Sequence, residues 1–457
     1  MSKIVNIIVD QKPYSAEEGS LLIDLLIQHK IKVPYFCYHE SLGADGNCRM
    51  CMVGIVGQKR PQIACDTLIK EGLEVNTQEE SIQQVRTNIL ELELINHPVD
   101  CPTCDQAGEC SLQDFYMDYG LHNAKVSINE KVKQTKKIDL GANVMLDQER
   151  CVLCARCTRF TDKITHTHEL GIIGRGDHAK VSTMPGKKLH NPYAMNIVDL
   201  CPVGALTSKD FRFSQRAWFL EHSESICQGC ATGCNIYIDH NKLKYQDDKI
   251  YRFRPRRNDA VNGFYICDAG RLSYKSSQEN RLTSILYEQS PLAKEEAIKE
   301  IQGALQTHKG SIALVIDANL YTEEIVALLE FAQHIGAKVY APLEFYKDEA
   351  FGDEMLRSAQ RAANAKTILD LHLNTESPKD ETLLLNFNHP DTFKNQIQIH
   401  FSTHLRAENA LQLPLADYTE NSGSLTNEKG IIQHSKKALT KNSPTPTVLE
   451  WLQKIQL

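Results

Sequence analysis

The chain has 457 residues, 42% hydrophobic and 24% charged, with a net charge of −7. That length exceeds what one core sustains, so two to four domains are expected, and the acidic balance gives no footing for nucleic-acid binding. The N-terminus runs into alternating apolar residues and lacks the apolar core and cleavage site of a signal peptide. No stretch approaches the roughly 20 apolar residues of a spanning helix; the run Leu21 to Ile27 is short and contains Asp24. These features predict a reducing, intracellular setting, where the 15 cysteines are metal ligands rather than disulfides.

Residues 1–80 read as one small mixed domain. Ile4 to Val9 alternates like a strand. Gly19 and Ser20 open a short amphipathic helix over Leu21 to Lys30, and a cysteine loop with Gly43 and Gly46 follows. Met52 to Val56 and Leu73 to Val75 predict further strands, which together suggest a ferredoxin-like β-grasp arrangement. Over residues 80–97 the spacing of Ile82, Val85, Ile89, Leu92 and Ile95 predicts a helix. Pro98 stops it and leaves His97 at its end. Residues 81–120 form a second cysteine domain, 140–215 a third, bacterial-ferredoxin-like, and 220–275 a fourth with short strands and turns. From 280 to 457 the chain reads as a reduced α/β domain: Ser311 to Ile316 a strand, Thr322 to Ile335 a helix, Lys338 to Ala341 a strand, hence a βαβ unit. It carries no G-x-G-x-x-G and no phosphate-binding loop. Ser443 to Thr447 reads as a linker into a last helix, Val448 to Ile455.

The cysteines and His97 make 16 ligands in four sets of four, without interleaving. Cys37, Cys48, Cys51 and Cys65 (C-x10-C-x2-C-x13-C) suit a [2Fe–2S] rhombus with two thiolates per iron. His97, Cys101, Cys104 and Cys110 (H-x3-C-x2-C-x5-C) suit a cluster with one neutral ligand, which would tune its potential. Cys151, Cys154, Cys157 and Cys201, the last followed by Pro202, have the [4Fe–4S] spacing of bacterial ferredoxins. Cys227, Cys230, Cys234 and Cys267 suit another [4Fe–4S] cube. A structural zinc site is the alternative at each group. Arg252, Arg254, Arg256 and Arg257 read either as a solvated basic loop or as charges offsetting the fourth site.

In this order the four spacings resemble the large iron–sulfur subunit of respiratory complex I. The stretches that carry the resemblance are Val33-Pro34-Tyr35-Phe36-Cys37-Tyr38-His39, Asn47-Cys48-Arg49-Met50-Cys51, His97-Pro98-Val99-Asp100-Cys101-Pro102-Thr103-Cys104-Asp105, Gly108-Glu109-Cys110-Ser111-Leu112-Gln113-Asp114 and Glu149-Arg150-Cys151-Val152-Leu153-Cys154. The resemblance implies one [2Fe–2S] and two [4Fe–4S] clusters on a path from flavin to quinone, with a fourth, [4Fe–4S], off that path. It also implies a flavin-bearing, NADH-oxidising partner and membrane-proximal iron–sulfur partners. The placement implied is peripheral, on the cytoplasmic face of a bacterial inner membrane. The fourth site resembles the front domain of molybdopterin oxidoreductases, in which a lysine two residues after the last cysteine bridges cluster and cofactor. Ala269 stands there, so no molybdopterin is expected, and the stretch Leu413 to Ser424 resembles the tail of a much larger domain. On this reading the chain relays electrons and has no flavin, nicotinamide or quinone site and no catalytic side chain of its own. Two other readings are the diaphorase-side module of a NAD-linked hydrogenase or formate dehydrogenase, and a zinc-stapled scaffold.

Overall fold

The computed structural model describes residues 3–242, 244, 249–391, 393, 396–407, 410–439 and 445–455. The expected linker at Ser443 to Thr447 lies partly outside these residues. The chain divides into two compact units, Met1–Trp218 and Phe219–Leu457.

The first unit begins with a five-stranded sheet in the order Lys12–Glu17, Ile4–Val9, Glu74–Asn76, Met52–Ile55, Gln62–Ile63. Strand Ile4–Val9 pairs antiparallel with its hairpin neighbour and parallel with Glu74–Asn76. Its alternation works as the period of a strand demands: Val5, Ile7 and Val9 are buried, and Ile4, Asn6 and Ile8 are not. The inward residues pack on Leu22, Ile23, Leu25 and Leu26 of helix Leu22–Gln28. That helix ends just before Lys30, which takes a positive φ of 55°.

Helix Glu80–Leu94 forms where expected, but its inner face differs. The buried positions are Ile82, Arg86 and Leu90, while Leu92 is 68% and Ile95 40% exposed. A polar residue holds the middle of the inner stripe because Arg86 donates to the Met52 carbonyl at 2.8 Å and lies over the Tyr119 ring. His97 follows three residues after the last helical one. A further helix, Ser111–Tyr119, begins one residue after Cys110. Beyond it, strands Leu206–Ser208, Val144–Leu146 and Ile138–Asp139 form a small sheet, flanked by helices Arg156–Lys163 and Asn196–Leu200.

The second unit opens with an antiparallel sheet of Leu220–Ile226, Asn235–Asn241 and Ile250–Pro255. A seven-stranded sheet follows, ordered Ser290–Pro291, Leu286–Tyr287, Leu411–Pro414, Ile397–Ser402, Leu383–Phe387, Ile312–Ile316, Lys338–Tyr340. Its five longer strands run parallel. Strands Ile312–Ile316 and Leu383–Phe387 are buried at every position, as central strands of a parallel sheet are, the one polar residue, Asn386, being hydrogen-bonded to His389. Helices Lys294–Thr307, Thr322–Ile335 and Val448–Ile455 cover them and close one large apolar core. Phe387 stacks on Phe401 at 4.4 Å, and Trp451 donates from Nε1 to the Pro414 carbonyl at 2.7 Å. The expected βαβ unit and last helix appear at the expected residues. Among the described residues no helix is long and apolar enough to cross a membrane.

Candidate metal centres

The first cysteine group lies on the loop between the helix Leu22–Gln28 and the strand Met52–Ile55, with Cys65 after the next strand. Arg49, between Cys48 and Cys51, adopts a left-handed φ of 57°. This curls the loop so that backbone N–H groups turn inward. Phe36 and Cys37 donate their N–H groups to the Cys48 sulfur at 3.4 and 3.5 Å. All four cysteines are buried. The thiols touch in pairs: hydrogen bonds from Cys48 and Cys65 push Cys37 down, and the same bonds push Cys48 and Cys65 up. Cys51 is likewise pushed down by its hydrogen bond to Cys65, so the four thiols share protons as a set, and binding of a cation would release them.

In the second group, burial pushes His97 down to about 4, so its imidazole is neutral and able to ligate. Val99 donates its N–H to His97 Nδ1 at 3.2 Å. Burial pushes Cys110 up to about 11. Asp100, between His97 and Cys101, receives a two-pronged contact from Arg150 at 3.0 and 2.8 Å. Burial alone would raise this carboxyl; Arg150 and Lys136 hold it near 2. Arg216 donates to the Cys104 carbonyl at 2.8 Å and to that of Pro102, and Asp105 accepts from the Phe213 N–H.

The third group surrounds a cavity. Cys151, Cys154, Cys157 and Cys201 line one small cavity whose other walls are Leu146, Val152, Val181, Val203, Ala205, Leu206 and Arg156. Leu153 and Ala155 take positive φ values of 49° and 57°, so the loop winds around the cavity before helix Arg156–Lys163 begins. Burial pushes Cys151 and Cys154 up to about 12. Four such thiols become thiolates only against strong positive charge, which iron would supply, and its binding would release their protons.

The third loop meets both others. Asn47 donates to the Leu153 carbonyl at 3.0 Å, and Arg159 donates to the Cys37 and Gly43 carbonyls. On the other side, a Cβ placed on Gly204 would lie 2.2 Å from the Cys104 sulfur. Only glycine lets the Cys201 loop come so close to the second group. The Ser111 N–H donates to the Pro202 carbonyl at 2.9 Å across the same seam.

In the second unit Cys227, Cys230, Cys234 and Cys267 are all buried. Gly229 and Gly270 donate N–H groups to the Cys227 and Cys267 sulfurs at 3.4 and 3.3 Å. A Cβ on Gly270 would lie 2.9 Å from the Cys227 sulfur. The arginines expected beside this site serve elsewhere: Arg252 and Arg254 both pair with buried Asp239, Arg256 donates to Asn235, and Arg257 reaches Asp259. Positive charge acts on the fourth group from Arg361, which lowers Cys227, and from Arg357, which lowers Cys267 against Asp268; nothing in the local spacing marked them. A polar crevice of about 570 Å³, lined by Gln228, Asp317, Asn388, Thr403 and Arg406 among others, opens at the carboxyl ends of the parallel strands.

The donor sets therefore fit clusters: sulfur-rich, largely buried, with N–H donors turned toward sulfur and glycine where a sulfur needs room.

Four family models match successive stretches of the chain. They are the 2Fe-2S iron-sulfur cluster binding domain over residues 2–80, the NADH-ubiquinone oxidoreductase-G iron-sulfur binding region over 86–125, the NADH-quinone oxidoreductase subunit 3 ferredoxin-like domain over 141–207 and the molybdopterin oxidoreductase Fe4S4 domain over 221–279. The NADH-ubiquinone oxidoreductase 75 kDa subunit of Reclinomonas americana is 34% identical over 367 residues, covering 78% of this chain and 52% of that protein. The mitochondrial 78 kDa subunit of Neurospora crassa is 35% identical over 341 residues, 73% of this chain and 45% of its own length. A NADH-quinone oxidoreductase subunit of Streptomyces coelicolor is 34% identical over 338 residues, 72% and 39% respectively. The chain thus spans about half the length, or less, of the curated relatives it matches. A solved chain from an NAD+-reducing [NiFe]-hydrogenase is 26% identical with a TM-score of 0.42, covering 46% of this chain and 90% of that one.

Proposed function

Because this chain is, over about three quarters of its length, a homologue of the 75 kDa iron–sulfur subunits of NADH-quinone oxidoreductase, we propose that it is an electron-relay subunit of such an enzyme. Cys37, Cys48, Cys51 and Cys65 would hold a [2Fe–2S] cluster. His97, Cys101, Cys104 and Cys110 would hold one [4Fe–4S] cluster, Cys151, Cys154, Cys157 and Cys201 a second, and Cys227, Cys230, Cys234 and Cys267 a third. When bound, such clusters take up and release electrons singly. The domains on this reading are a β-grasp [2Fe–2S] domain over 1–80, cluster domains over 81–120, 140–215 and 220–275, and an α/β domain over 280–457.

The observation that carries the reading is the placement of the third loop against both the first and the second. These contacts support the third group as the middle station, giving a relay order of first, third, second that differs from chain order. The chain's own residues hold these loops together, exclude water and aim N–H groups at sulfur. No side chain needs to move a proton. The source of electrons would be a flavin-bearing, NADH-oxidising subunit, and the recipient a membrane-proximal iron–sulfur subunit, in a peripheral assembly on the cytoplasmic face. The fourth group lies outside this sequence of stations. No pterin is assigned to the crevice beside it, since Ala269 stands where a molybdopterin oxidoreductase carries its bridging lysine.

Anaerobic purification with iron, zinc and acid-labile sulfide analysis tests this, with electron paramagnetic resonance after reduction. Four clusters predict about 14 iron and about 14 sulfide per chain and signals of both cluster types. Zinc without sulfide would overturn the relay reading.

A further inference from the structure

Arg156 stands out among the basic residues of the first unit. It is 8% exposed. Its guanidinium donates to the Tyr38 carbonyl at 2.5 Å and to the Leu200 carbonyl at 3.1 Å. Tyr38 follows Cys37 of the first group, Leu200 precedes Cys201 of the third, and Arg156 itself precedes Cys157. One side chain thus ties together backbone beside a ligand of each group.

Its charge is the second point. Among the described residues no carboxylate is in an ion pair with Arg156; the ionisable groups that act on it most are Cys154, Tyr35, Cys201 and Cys37. A buried cation without a counter-charge is costly. The groups that can supply negative charge here are the thiolates of two metal centres. Its Nε–H is also buried with no hydrogen-bond partner, a donor left over next to the third cavity, of which Arg156 is a wall. Arg159, one turn further along the same helix, provides the contrast. It donates to the Cys37 and Gly43 carbonyls, which belong to the first loop alone.

We propose that Arg156 is a positioning residue that fixes the first and third cluster loops against each other and raises both reduction potentials by its buried charge. The inference rests on the cluster assignment above. Adding an electron to either centre increases negative charge, so a nearby fixed cation favours reduction at both. The two centres are then tuned together, and the step between them keeps its driving force when the surroundings change.

The full chain, reconstituted with iron and sulfide, is the material for the test, and potentiometric titration followed by paramagnetic resonance is the readout. Arg156→Gln should move both midpoint potentials to more negative values, with at least a tenfold change in the reduced-to-oxidised ratio at fixed poise, about 59 mV for a one-electron couple. Arg156→Lys keeps the charge and loses the double bridge. It should leave both potentials near wild type and weaken the magnetic interaction between the two reduced centres. Arg159→Gln should perturb the first centre only. Full cluster content in Arg156→Gln with one potential or neither displaced overturns the proposal. So does an unchanged magnetic interaction in Arg156→Lys, and so does loss of both clusters in both variants, which would make Arg156 a folding residue. A wild-type chain without iron and sulfide would instead bring down the cluster assignment itself.

Discussion

The segment around the second cysteine group and the seven-stranded sheet of the second unit are built on opposite principles. Between residues 91 and 139 the buried apolar side chains are Cys104, Ala107 and Leu112, while Leu92, Val99, Met117, Ile128 and Val132 are each more than half exposed. What holds this stretch is polar: Arg150 on Asp100, Arg216 on the Pro102 and Cys104 carbonyls, and Lys131 on the carbonyls of Leu94, Ile95 and His97. The sheet rests on an apolar core of the ordinary kind, worth about 1.5–3 kcal/mol for each large side chain it buries. The one segment is held by polar contacts around its cysteines, the other by apolar packing. The stability of the sheet and that of the cysteine segment are therefore expected to be separable.

The largest expected effect follows directly. Removing iron with a chelator should abolish hydrogen-exchange protection between residues 95 and 137, because ligand binding there is folding energy. Protection in strands Ile312–Ile316 and Leu383–Phe387 should persist. Protection lost equally in both regions would erase the distinction. The converse experiment is Trp451→Ala, which empties a fully buried site against Phe401 and the Pro414 carbonyl. It should destabilise the second unit by about 3–5 kcal/mol in chemical unfolding and leave the iron content of the first unit unchanged. Gly204→Ala probes the seam between the second and third loops. With a methyl 2.2 Å from the Cys104 sulfur, the loops must part, at a cost of about 3 kcal/mol. About four iron should be lost with the second cluster's resonance; full iron content with an unaltered spectrum would mean that the seam tolerates the methyl group.

The two regions also differed in how much their residues disclosed. Of the sheet only the βαβ unit was legible, because Ile312–Ile316 is a continuous apolar run and helix Thr322–Ile335 has a clean period, whereas Leu383–Phe387, interrupted by Asn386, and the strands beyond it were not. The cysteine groups were legible as groups because few functions place cysteines at such close spacings. Which loops touch was not legible. Arg156 reaches Tyr38 and Leu200, 118 and 44 residues away, and no local pattern encodes such a bridge. Arg252 and Arg254 misled for a related reason. Their partner Asp239 sits on the adjacent strand, directly across from Arg252, so a run of arginines that reads as a basic loop is half of a buried ion pair. Helix Glu80–Leu94 misled because Arg86 takes a place on the inner stripe that a hydrophobic count gives to its neighbours.

The smallest expected effect lies in the second unit and concerns pH. Glu324, in the first turn of helix Thr322–Ile335, is 5% exposed and accepts from the Tyr321 N–H at 3.1 Å and from Asn421 at 2.9 Å. Burial raises its carboxyl to about 7 from an ordinary 4.5, outweighing the N–H donors that favour the ionised form. Below pH 4.5 the folded and unfolded chains both carry the proton. Between there and about pH 7 the unfolded chain releases it and the folded chain keeps it, so stability falls as pH rises; above pH 7 the loss is complete. The fall should amount to about 1–3 kcal/mol in chemical unfolding of the second unit. Glu324→Gln should remove that slope, leaving the variant less stable than wild type at low pH and relatively improved at high pH. Equal slopes for the two chains would show that Glu324 is ionised in the folded state. Because no cysteine group takes part, the slope should also be the same with and without iron, which tests the separation of the two regions from its quieter side.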